Sequence, residues 1–236
     1  MDTKDMSRQE IVGISGLNKK YGDRVIFHDF NLSVNSGEML CVSGPSGSGK
    51  STLLNIIGMF EQADSGEIRM FGEKIPKVDS KAGKNLLKNR LFYLFQNFAL
   101  VTDETVDYNL EIPMMGSGIP RKKRMQIKTD ALRQVGLDYL SLKEKIYHLS
   151  GGEQQRVALA RGYIKKFDLL LADEPTGSLD EHNRDAIIAI LDRFHDAGKT
   201  IIIVSHDPVI MEHCEKHIRL TDPAKRTRKS ASSIDF

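Results

Sequence analysis

Gly44-Pro45-Ser46-Gly47-Ser48-Gly49-Lys50-Ser51 follows the apolar segment 39–42 and precedes a helical pattern that starts at Thr52. The stretch fits G-x-x-x-x-G-K-[S/T], a phosphate-loop pattern for which a strand before it and a helix after it are the confirming context. Glycines let backbone N–H groups converge on phosphate oxygens, and the helix N-terminus adds its dipole. We therefore expect Gly44–Thr52 to bind a nucleotide, with Lys50 against the β- and γ-phosphates and the Ser51 hydroxyl as a Mg²⁺ ligand.

Two further apolar segments, 169–172 and 201–204, lack the alternation of a half-exposed strand, as does 39–42. Strands that are buried on both faces of a parallel sheet have this composition. Ligands bind at the carboxyl ends of such strands, so the turns after them should meet at one edge of the sheet. At that edge we expect Asp173 to hold Mg²⁺ and Glu174 to act as the base or orienter of an attacking water.

The rest of the chain indicates the fold class. Alternating apolar residues up to about Val42, broken by a turn at Tyr21-Gly22-Asp23-Arg24, predict antiparallel strands. Residues from about 97 to 150 are helical and more charged, and the run Arg121–Arg124 reads as a solvated helix face rather than a binding patch. We expect one domain over 1–236: an α/β P-loop NTPase core, a mainly parallel sheet flanked by helices, with an N-terminal antiparallel β subdomain, an inserted α-helical subdomain at about 97–150, and a basic, Ser-rich, disordered tail over 223–236.

A second phosphate-binding helix start is predicted within Leu149-Ser150-Gly151-Gly152-Glu153-Gln154-Gln155-Arg156. Ser150 and Glu153 have the spacing of a capping box ahead of a helical run. The two glycines weaken a first helical turn but leave its N–H groups bare for an anion. Because one γ-phosphate is small, we expect two half-sites to share it. The first half-site is Gly44–Thr52 with Asp173 and Glu174, and the second half-site is Ser150–Glu153 of a partner chain, which predicts a head-to-tail dimer.

Segment 149–156 and the phosphate loop together resemble the ATP-binding subunits of ABC transporters, over roughly residues 10–222. The resemblance implies that the loop of one subunit and segment 149–156 of another close around ATP. It places Tyr21 where the family has an aromatic ring that stacks on adenine. From the residues alone, Tyr21 is also open to interpretation as a turn aromatic that packs locally.

The same resemblance implies roles for three other positions. Gln96 corresponds to the glutamine that contacts Mg²⁺ or the attacking water and senses the permease, although its context alone indicates only an amide at a strand end. His206 corresponds to the histidine that contacts the γ-phosphate, whereas a lone histidine at a strand end is usually structural. The loop Ser178-Leu179-Asp180 corresponds to the one that couples the two active sites across the dimer.

The sequences of segments 149–161 and 173–180 resemble one branch of the ABC family, which contains lipoprotein-release, macrolide or antimicrobial-peptide export, and cell-division ATPases. This branch implies an ATPase motor subunit that closes with a second copy of itself, or with a paralogous subunit, around two ATP-Mg²⁺. The motor is expected to drive a separate integral-membrane permease from the cytoplasmic face of the membrane. The resemblance implies that the system acts on peptides, lipoproteins or drugs, either by export or by mechanotransmission.

Composition excludes several other classes. The chain has 236 residues with 34 Lys and Arg against 32 Asp and Glu, and this net charge of +2 is weak support for nucleic acid as a partner. The longest strictly apolar run is the six residues 186–191, whereas a membrane-spanning helix needs about 20. The N-terminus has no apolar segment typical of a secretory signal, and two cysteines do not make a disulfide framework. We therefore expect a reduced, cytoplasmic chain that does not cross a bilayer.

Two alternative functions are weighed against the transporter motor. A soluble ABC ATPase that acts on nucleic acid or ribosomes is the second hypothesis. It is disfavoured because roughly a hundred residues, without sustained heptads, separate Lys50 from Ser150, and because the chain contains one cassette. A catalytically silent regulatory cassette is disfavoured because Lys50, Asp173, Glu174 and His206 are all present.

Overall fold

The computed structural model describes residues 9–177 and 179–221, so Ser178 and the predicted tail over 223–236 lie outside the described residues. The strands are β1 (Glu10–Tyr21), β2 (Arg24–Asn35), β3 (Met39–Ser43), β4 (Ser65–Met70), β5 (Glu73–Lys74), β6 (Leu91–Leu94), β7 (Leu169–Asp173), β8 (Thr200–Val204) and β9 (Lys216–Arg219). The helices are α1 (Lys50–Ile57), α2 (Lys81–Asn89), α3 (Val106–Glu111), α4 (Arg121–Gln134), α5 (Gly151–Ile164), α6 (Glu181–Asp196) and α7 (Pro208–His213). Within the described ranges, no helix combines the length and the apolar character that crossing a bilayer requires.

Five strands form a parallel sheet in the order β6-β7-β8-β3-β9. Alternate residues of β7 enter opposite hydrophobic clusters, because Leu170 and Ala172 join one cluster and Leu169 and Leu171 join the other. Helices α5 and α6 contribute to the first cluster, and α1 contributes to the second. Both faces of the sheet are therefore buried, as the unbroken apolar segments predict. The carboxyl ends of β3, β6, β7 and β8 lie at the same edge of the sheet, and the turns that carry predicted site residues follow these ends.

Four strands form an antiparallel sheet in the order β2-β1-β4-β5, which confirms the antiparallel prediction for the first part of the chain. A tight hairpin joins β1 to β2, with Tyr21 paired to Arg24. Gly22 lies between them at a φ of 57°, a left-handed conformation that glycine adopts without strain. The hairpin brings Arg24 to the phosphate loop, where its Nη2 donates to the carbonyl oxygen of Gly47 at 2.9 Å.

The region before α5 is helical, as expected, with α3 and α4 packed near α5. Helix α4 begins at Arg121, where the sequence pattern places its start, and Arg121–Lys123 are exposed. Arg124 is only partly exposed, because it pairs with Glu111. Lys128 is buried between Asp107 and Glu111, with both N–O distances at 2.7 Å. The basic run is thus a solvated face over three of its four residues, and the boundaries of the inserted subdomain stay a prediction.

Candidate functional site

The phosphate loop joins β3 to α1 and lies close against its neighbours. Gly49 has a φ of 100°, and a Cβ there would lie 2.5 Å from Cγ2 of Ile26 and 2.9 Å from Cζ of Phe27. Gly44 has a φ of 150°, and a Cβ there would lie 2.5 Å from the carbonyl oxygen of Leu220. A side chain at either position would displace β2 or the backbone after β9. Glycine therefore allows the loop to close this tightly.

Donors for an anion gather around this loop. The Nζ of Lys50 donates to the carbonyl oxygens of Gly44 at 2.8 Å and Pro45 at 3.2 Å, so the ammonium lies over the loop. The Ser48 hydroxyl is buried and has no hydrogen-bond partner among the described residues. The first N–H groups of α1 lack intrahelical partners, as at any helix start. An ammonium, a spare hydroxyl and these N–H groups together are the donors that a phosphate needs.

A cavity of about 540 Å³ lies beside the phosphate loop. The described residues that line it are Tyr21, Arg24, Ile26, Gly44, Ser46, Gly47, Gly49, Lys50, Ser51, Thr52, Gln96, Glu174 and His206. The fold brings Gln96, Glu174 and His206 to the loop, as expected for turns at one edge of a parallel sheet, and the hairpin of the antiparallel sheet adds Tyr21. The individual roles of these four residues stay predictions.

The hydroxyl of Ser51 and the carboxylate of Asp173 meet at the N-terminal end of α1. The Ser51 Oγ donates to Oδ1 of Asp173 at 3.3 Å. Burial raises the pKa of Asp173, the Ser51 hydrogen bond lowers it, and the neighbouring Glu174 raises it again. Adjacent carboxylates in a partly buried place are unfavourable unless a cation offsets their charge. A hydroxyl and a carboxylate in contact are oxygen ligands of the kind that Mg²⁺ prefers, so the residues present suit that ion.

Glu174 and His206 form a hydrogen-bonded pair at the ends of β7 and β8. The Nδ1 of His206 lies 2.9 Å from Oε1 of Glu174, and the histidine side chain is 76% exposed while that of Glu174 is 14% exposed. Glu174 has a φ of 46°, and its N–H donates to the carbonyl oxygen of Val204 at 2.9 Å. Non-glycine residues in this conformation store strain, which is common at functional sites. The bond to Val204 fixes the backbone of Glu174 at the strand end, and the hydrogen bond with His206 orients its carboxylate at the cavity wall.

Tyr21 is held at the rim of the cavity by contacts outside it. Its hydroxyl bonds to the carboxylate of Glu61, and the Nζ of Lys19 lies 5.0 Å from the centre of its ring. Burial and the Glu61 hydrogen bond raise the pKa of Tyr21. The ring is 49% exposed, so it has both local packing and a free surface on the cavity side. This placement suits stacking on a base.

Two lining residues, Arg24 and Ile26, were not predicted from the sequence. Arg24 bonds the loop carbonyl of Gly47, and Ile26 packs beside Gly49. A charged residue at a turn and an apolar residue in a strand match no motif. The hairpin register could have indicated Arg24, because Arg24 pairs with Tyr21 and therefore lies beside the residue predicted to stack on adenine.

The second half-site lies elsewhere on the same chain. The described lining of the cavity does not include Ser150, Gly151, Gly152, Glu153 or Asp180, which lie at the starts of α5 and α6. The predicted capping box is confirmed: the Ser150 Oγ accepts from the N–H of Glu153 at 3.3 Å, and the N–H of Ser150 donates to Oε2 of Glu153 at 2.8 Å. One chain thus presents two separate sets of candidate nucleotide ligands.

Gly152 has a packing role that its sequence context did not reveal. A Cβ at this position would lie 2.1 Å from Oδ1 of Asn183. The N–H of Asn183 donates to Oδ1 of Asp180 at 2.9 Å, and Nη1 of Arg156 donates to Oδ1 of Asn183 at 2.6 Å. The starts of α5 and α6 are thereby joined through Asn183. The glycine permits this close approach in addition to leaving its N–H group unhindered.

Residues 27–177 match the sequence model of the family described as ABC transporter, which is more than half of the chain. The chain belongs to the ABC transporter family. It is an ATP-binding cassette of this ATPase family, and the resemblance drawn from segment 149–156 is confirmed. Cassettes of this family bind ATP, and here the residues predicted to bind phosphate line the cavity beside the phosphate loop.

Solved ABC cassettes have the same fold. The cassette superposes with a TM-score of 0.83 on the dimeric structure of MJ0796, a bacterial ABC transporter cassette, with 31% identity over 90% of this chain and 95% of that one. It superposes with a TM-score of 0.81 on a dimeric post-hydrolysis state of the ATP-binding cassette MJ0796 bound to ADP and Pi, with 31% identity over 89% and 94% of the two chains. The predicted α/β fold class is therefore confirmed.

Curated relatives are named for macrolide export. The macrolide export ATP-binding/permease protein MacB of Pectobacterium atrosepticum is 36% identical over 216 residues, which is 90% of this cassette and 33% of that protein. The protein of the same name from Escherichia coli K12 is 37% identical over 199 residues, or 84% and 30% of the two chains. The cassette spans about a third of the length of these relatives. The branch predicted from segments 149–161 and 173–180 is confirmed.

Proposed function

We propose that this cassette is an ATP-hydrolysing motor that closes head to tail around two ATP-Mg²⁺, with a second copy or a paralogous cassette, and drives a membrane permease. One observation carries the proposal. The first half-site opens onto a cavity together with His206 and Gln96, whereas the second half-site is presented at another place on the same chain. Each chain would thus complete the site of its partner. The dimeric MJ0796 cassettes are similar over most of this chain, which supports the same assembly here.

Hydrolysis at this site is an in-line attack of water on the γ-phosphate. Glu174 accepts the proton of the water, and the Nδ1–H of His206 holds the carboxylate through the 2.9 Å hydrogen bond. When Nε2 also carries a proton, it would donate to an oxygen of the γ-phosphate. Lys50 transfers its hydrogen bonds from the loop carbonyls to the β- and γ-phosphates. Ser51, Asp173 and Gln96 would hold Mg²⁺, which neutralises charge on the β- and γ-phosphates when bound.

The second half-site completes the active site from the partner chain. Ser150 and the N–H groups of Gly151 and Gly152 are at a helix start, where the dipole favours an anion. Asp180 caps α6 and is tied to α5 through Asn183. We place these groups against the γ-phosphate of the partner's nucleotide, so ATP binding would favour closure and hydrolysis would favour opening.

An apolar groove of about 440 Å³ supports a permease partner. Its wall includes Phe95, which precedes Gln96, and the exposed side chains of Phe60 and Met115. Such a surface suits an apolar segment of a partner. We propose that a cytoplasmic segment of the permease docks here, which places the cassette at the cytoplasmic face of the membrane. The relatives named for macrolide export support export, or mechanotransmission, of a drug, peptide or lipoprotein.

The test of the motor is Glu174→Gln. It should leave ATP binding intact and slow hydrolysis about 100-fold or more, because a positioned general base contributes about 10²–10⁴ in rate. Phosphate release gives the turnover, and light scattering with ATP-Mg²⁺ gives the dimer. The matched control is Glu73→Gln on the exposed strand β5, which should behave as the parent does. Parental turnover by Glu174→Gln would remove its role, and a monomer at high protein and ATP concentrations would contradict the shared site.

The permease is tested separately. The cassette should copurify from membranes with a multi-span partner, and candidate peptides, lipids or drugs should change the ATPase rate of that complex. Phe60→Asp places a charge in the groove and should release the partner while the ATPase rate of the isolated cassette is retained. Retention of the partner by Phe60→Asp would show that the permease docks elsewhere.

A further inference from the structure

The second half-site has a hydrogen-bond partner outside its own helix. The Oη of Tyr139 donates to Oε1 of Glu153 at 2.8 Å. Oε2 of the same carboxylate accepts from the N–H of Ser150 at 2.8 Å and from its Oγ at 2.7 Å. Both carboxylate oxygens are therefore engaged, one by the helix cap and the other by Tyr139.

The helix cap is complete without Tyr139. The reciprocal bonds between Ser150 and Glu153 already form a capping box, which needs no third residue. Tyr139 lies in the turn between α4 and α5 and is 66% exposed, so its ring gains little from burial. Its neighbours Leu137 and Leu140 pack against the core and fix the position of the turn. The hydroxyl is therefore the part of this side chain that makes a specific contact.

Two acceptors compete for the hydroxyl proton of Ser150 when the partner's nucleotide binds. A hydroxyl has one proton, and in this arrangement the Ser150 hydroxyl donates it to Glu153. In the proposed dimer, the same proton must be donated to an oxygen of the γ-phosphate. The Ser150 hydrogen bonds lower the pKa of Glu153 against the effect of burial, and so do the Tyr139 hydrogen bond and the nearby charge of Arg156, which both remain when the Ser150 hydroxyl leaves. A donor that remains on this carboxylate makes the exchange less costly, because a hydrogen bond to a charged group is strong.

We propose that Tyr139 is a positioning residue of the second half-site. Its hydroxyl stays on Oε1 of Glu153 and keeps the carboxylate turned toward the N–H of Ser150 while the Ser150 hydroxyl moves to the partner's γ-phosphate. This role rests on the proposed head-to-tail dimer. It adds to that dimer a side chain that contacts no nucleotide and acts through Glu153.

Tyr139→Phe removes the hydroxyl and keeps the exposed ring. In the Glu174→Gln background with ATP-Mg²⁺, the dimer dissociation constant from light scattering should rise about threefold to tenfold, the effect of one lost hydrogen bond. With Glu174 intact, the ATPase rate should fall by a similar factor at low protein concentration and recover at high concentration. The affinity of the monomer for ATP should not change, because Tyr139 is not among the residues that line the cavity.

Two further variants separate positioning from a structural role. Tyr147→Phe removes a hydroxyl from another exposed tyrosine, whose ring packs edge-on against His148, and should keep the parental dissociation constant. Glu153→Gln keeps an acceptor oxygen but removes the charge that Tyr139 is proposed to hold. In that background, Tyr139→Phe should change the dissociation constant by no more than about twofold, as a double-mutant cycle would detect.

Three results would count against the proposal. If Tyr139→Phe lowers the melting temperature or the ATP affinity of the monomer while the dimer constant stays parental, the tyrosine is only structural. An equal effect with and without Glu153→Gln shows that Tyr139 does not act through the carboxylate. If the Glu174→Gln parent forms no dimer with ATP, the proposed head-to-tail assembly is wrong. If the parent and its Tyr139→Phe variant dimerise equally well, the assembly stands and only the role of Tyr139 is wrong.

Discussion

The two half-sites of this cassette are built in opposite ways. The first half-site is assembled by tertiary structure, because the phosphate loop follows β3 while Asp173 and Glu174 lie at the end of β7. The phosphate-facing part of the second half-site, Ser150–Glu153, is the first turn of helix α5, and Ser150 and Glu153 bond each other in a capping box. The first half-site opens its donors onto a cavity, whereas the second half-site keeps its hydroxyl on its own carboxylate.

The two half-sites differ in how firmly their groups are held in position. Groups held by strands of a buried sheet keep their positions unless a large part of the core opens. A helix cap contributes only about 1 kcal/mol, so its bonds are readily exchanged for others of similar strength. The first half-site is therefore suited to chemistry and the second half-site to reversible assembly. Substitutions should then divide into those that stop hydrolysis within any dimer and those that act through the partner.

Complementation between two inactive variants is the largest expected effect. Lys50→Ala removes the ammonium of the first half-site, and Ser150→Asp retains a good N-cap but opposes the phosphate with a negative charge. Each variant alone should lose hydrolysis. An equal mixture should regain up to about a quarter of the parental rate, since half of randomly formed dimers have one intact composite site of two. The rate of phosphate release from the mixture measures this directly.

The matched control for complementation is a mixture in which both variants are altered in the same half-site. Lys50→Ala mixed with Glu174→Gln cannot form an intact composite site, because each variant lacks a group of the first half-site. That mixture should show only the sum of the separate rates. Recovery there, or no recovery with Ser150→Asp, would break the division between the two half-sites.

Adjacent glycines test how tightly the second half-site is packed. A Cβ at Gly152 would meet Oδ1 of Asn183 at 2.1 Å, whereas a Cβ at Gly151 would meet only Cδ2 of Leu179 at 3.9 Å. Gly152→Ala should therefore destabilise the cassette by about 1–3 kcal/mol through overpacking, and Gly151→Ala should stay within about 0.5 kcal/mol of the parent. Urea unfolding without nucleotide measures both. Equal free energies of unfolding would show that Asn183 moves aside freely.

Most of the first half-site was predictable from the sequence, for a physical reason. Strands buried on both faces have unbroken apolar segments, and the polar residues after them must lie at the edge of the sheet. Asp173 and Glu174 were predicted in this way together with the phosphate loop. The capping box at Ser150 was predictable as well, because its spacing is local. The family resemblance, and not the residues alone, pointed to Tyr21, Gln96 and Asp180 and to the role of His206.

Contacts between distant parts of the chain were not predictable. Asn183 packs on Gly152, and Tyr139 bonds Glu153 across the turn between two helices. A polar residue in a turn has no periodicity that indicates its partner, and the partner depends on how helices pack. Arg24 was missed for the same reason, although it lies opposite Tyr21 in the hairpin.

Substitution of Arg24 should have the smallest effect, and it tests whether the hairpin contributes a charge to the first half-site. Its Nη2 bonds the carbonyl oxygen of Gly47 at 2.9 Å, and its charge lies on the cavity wall beside the loop that binds phosphate. Arg24→Ala should weaken ATP binding by the monomer about threefold to tenfold, the effect of one typical hydrogen bond, and Arg24→Lys should restore part of the affinity because it restores only the charge. Arg69→Ala, an exposed arginine paired with Glu67 on β4, is the matched control and should keep the parental dissociation constant. Titration with a fluorescent ATP analogue measures all three variants. If Arg24→Ala binds ATP as the parent does, Arg24 contributes nothing to the affinity, and Tyr21 and Ile26 are the lining residues that the hairpin still offers to the nucleotide.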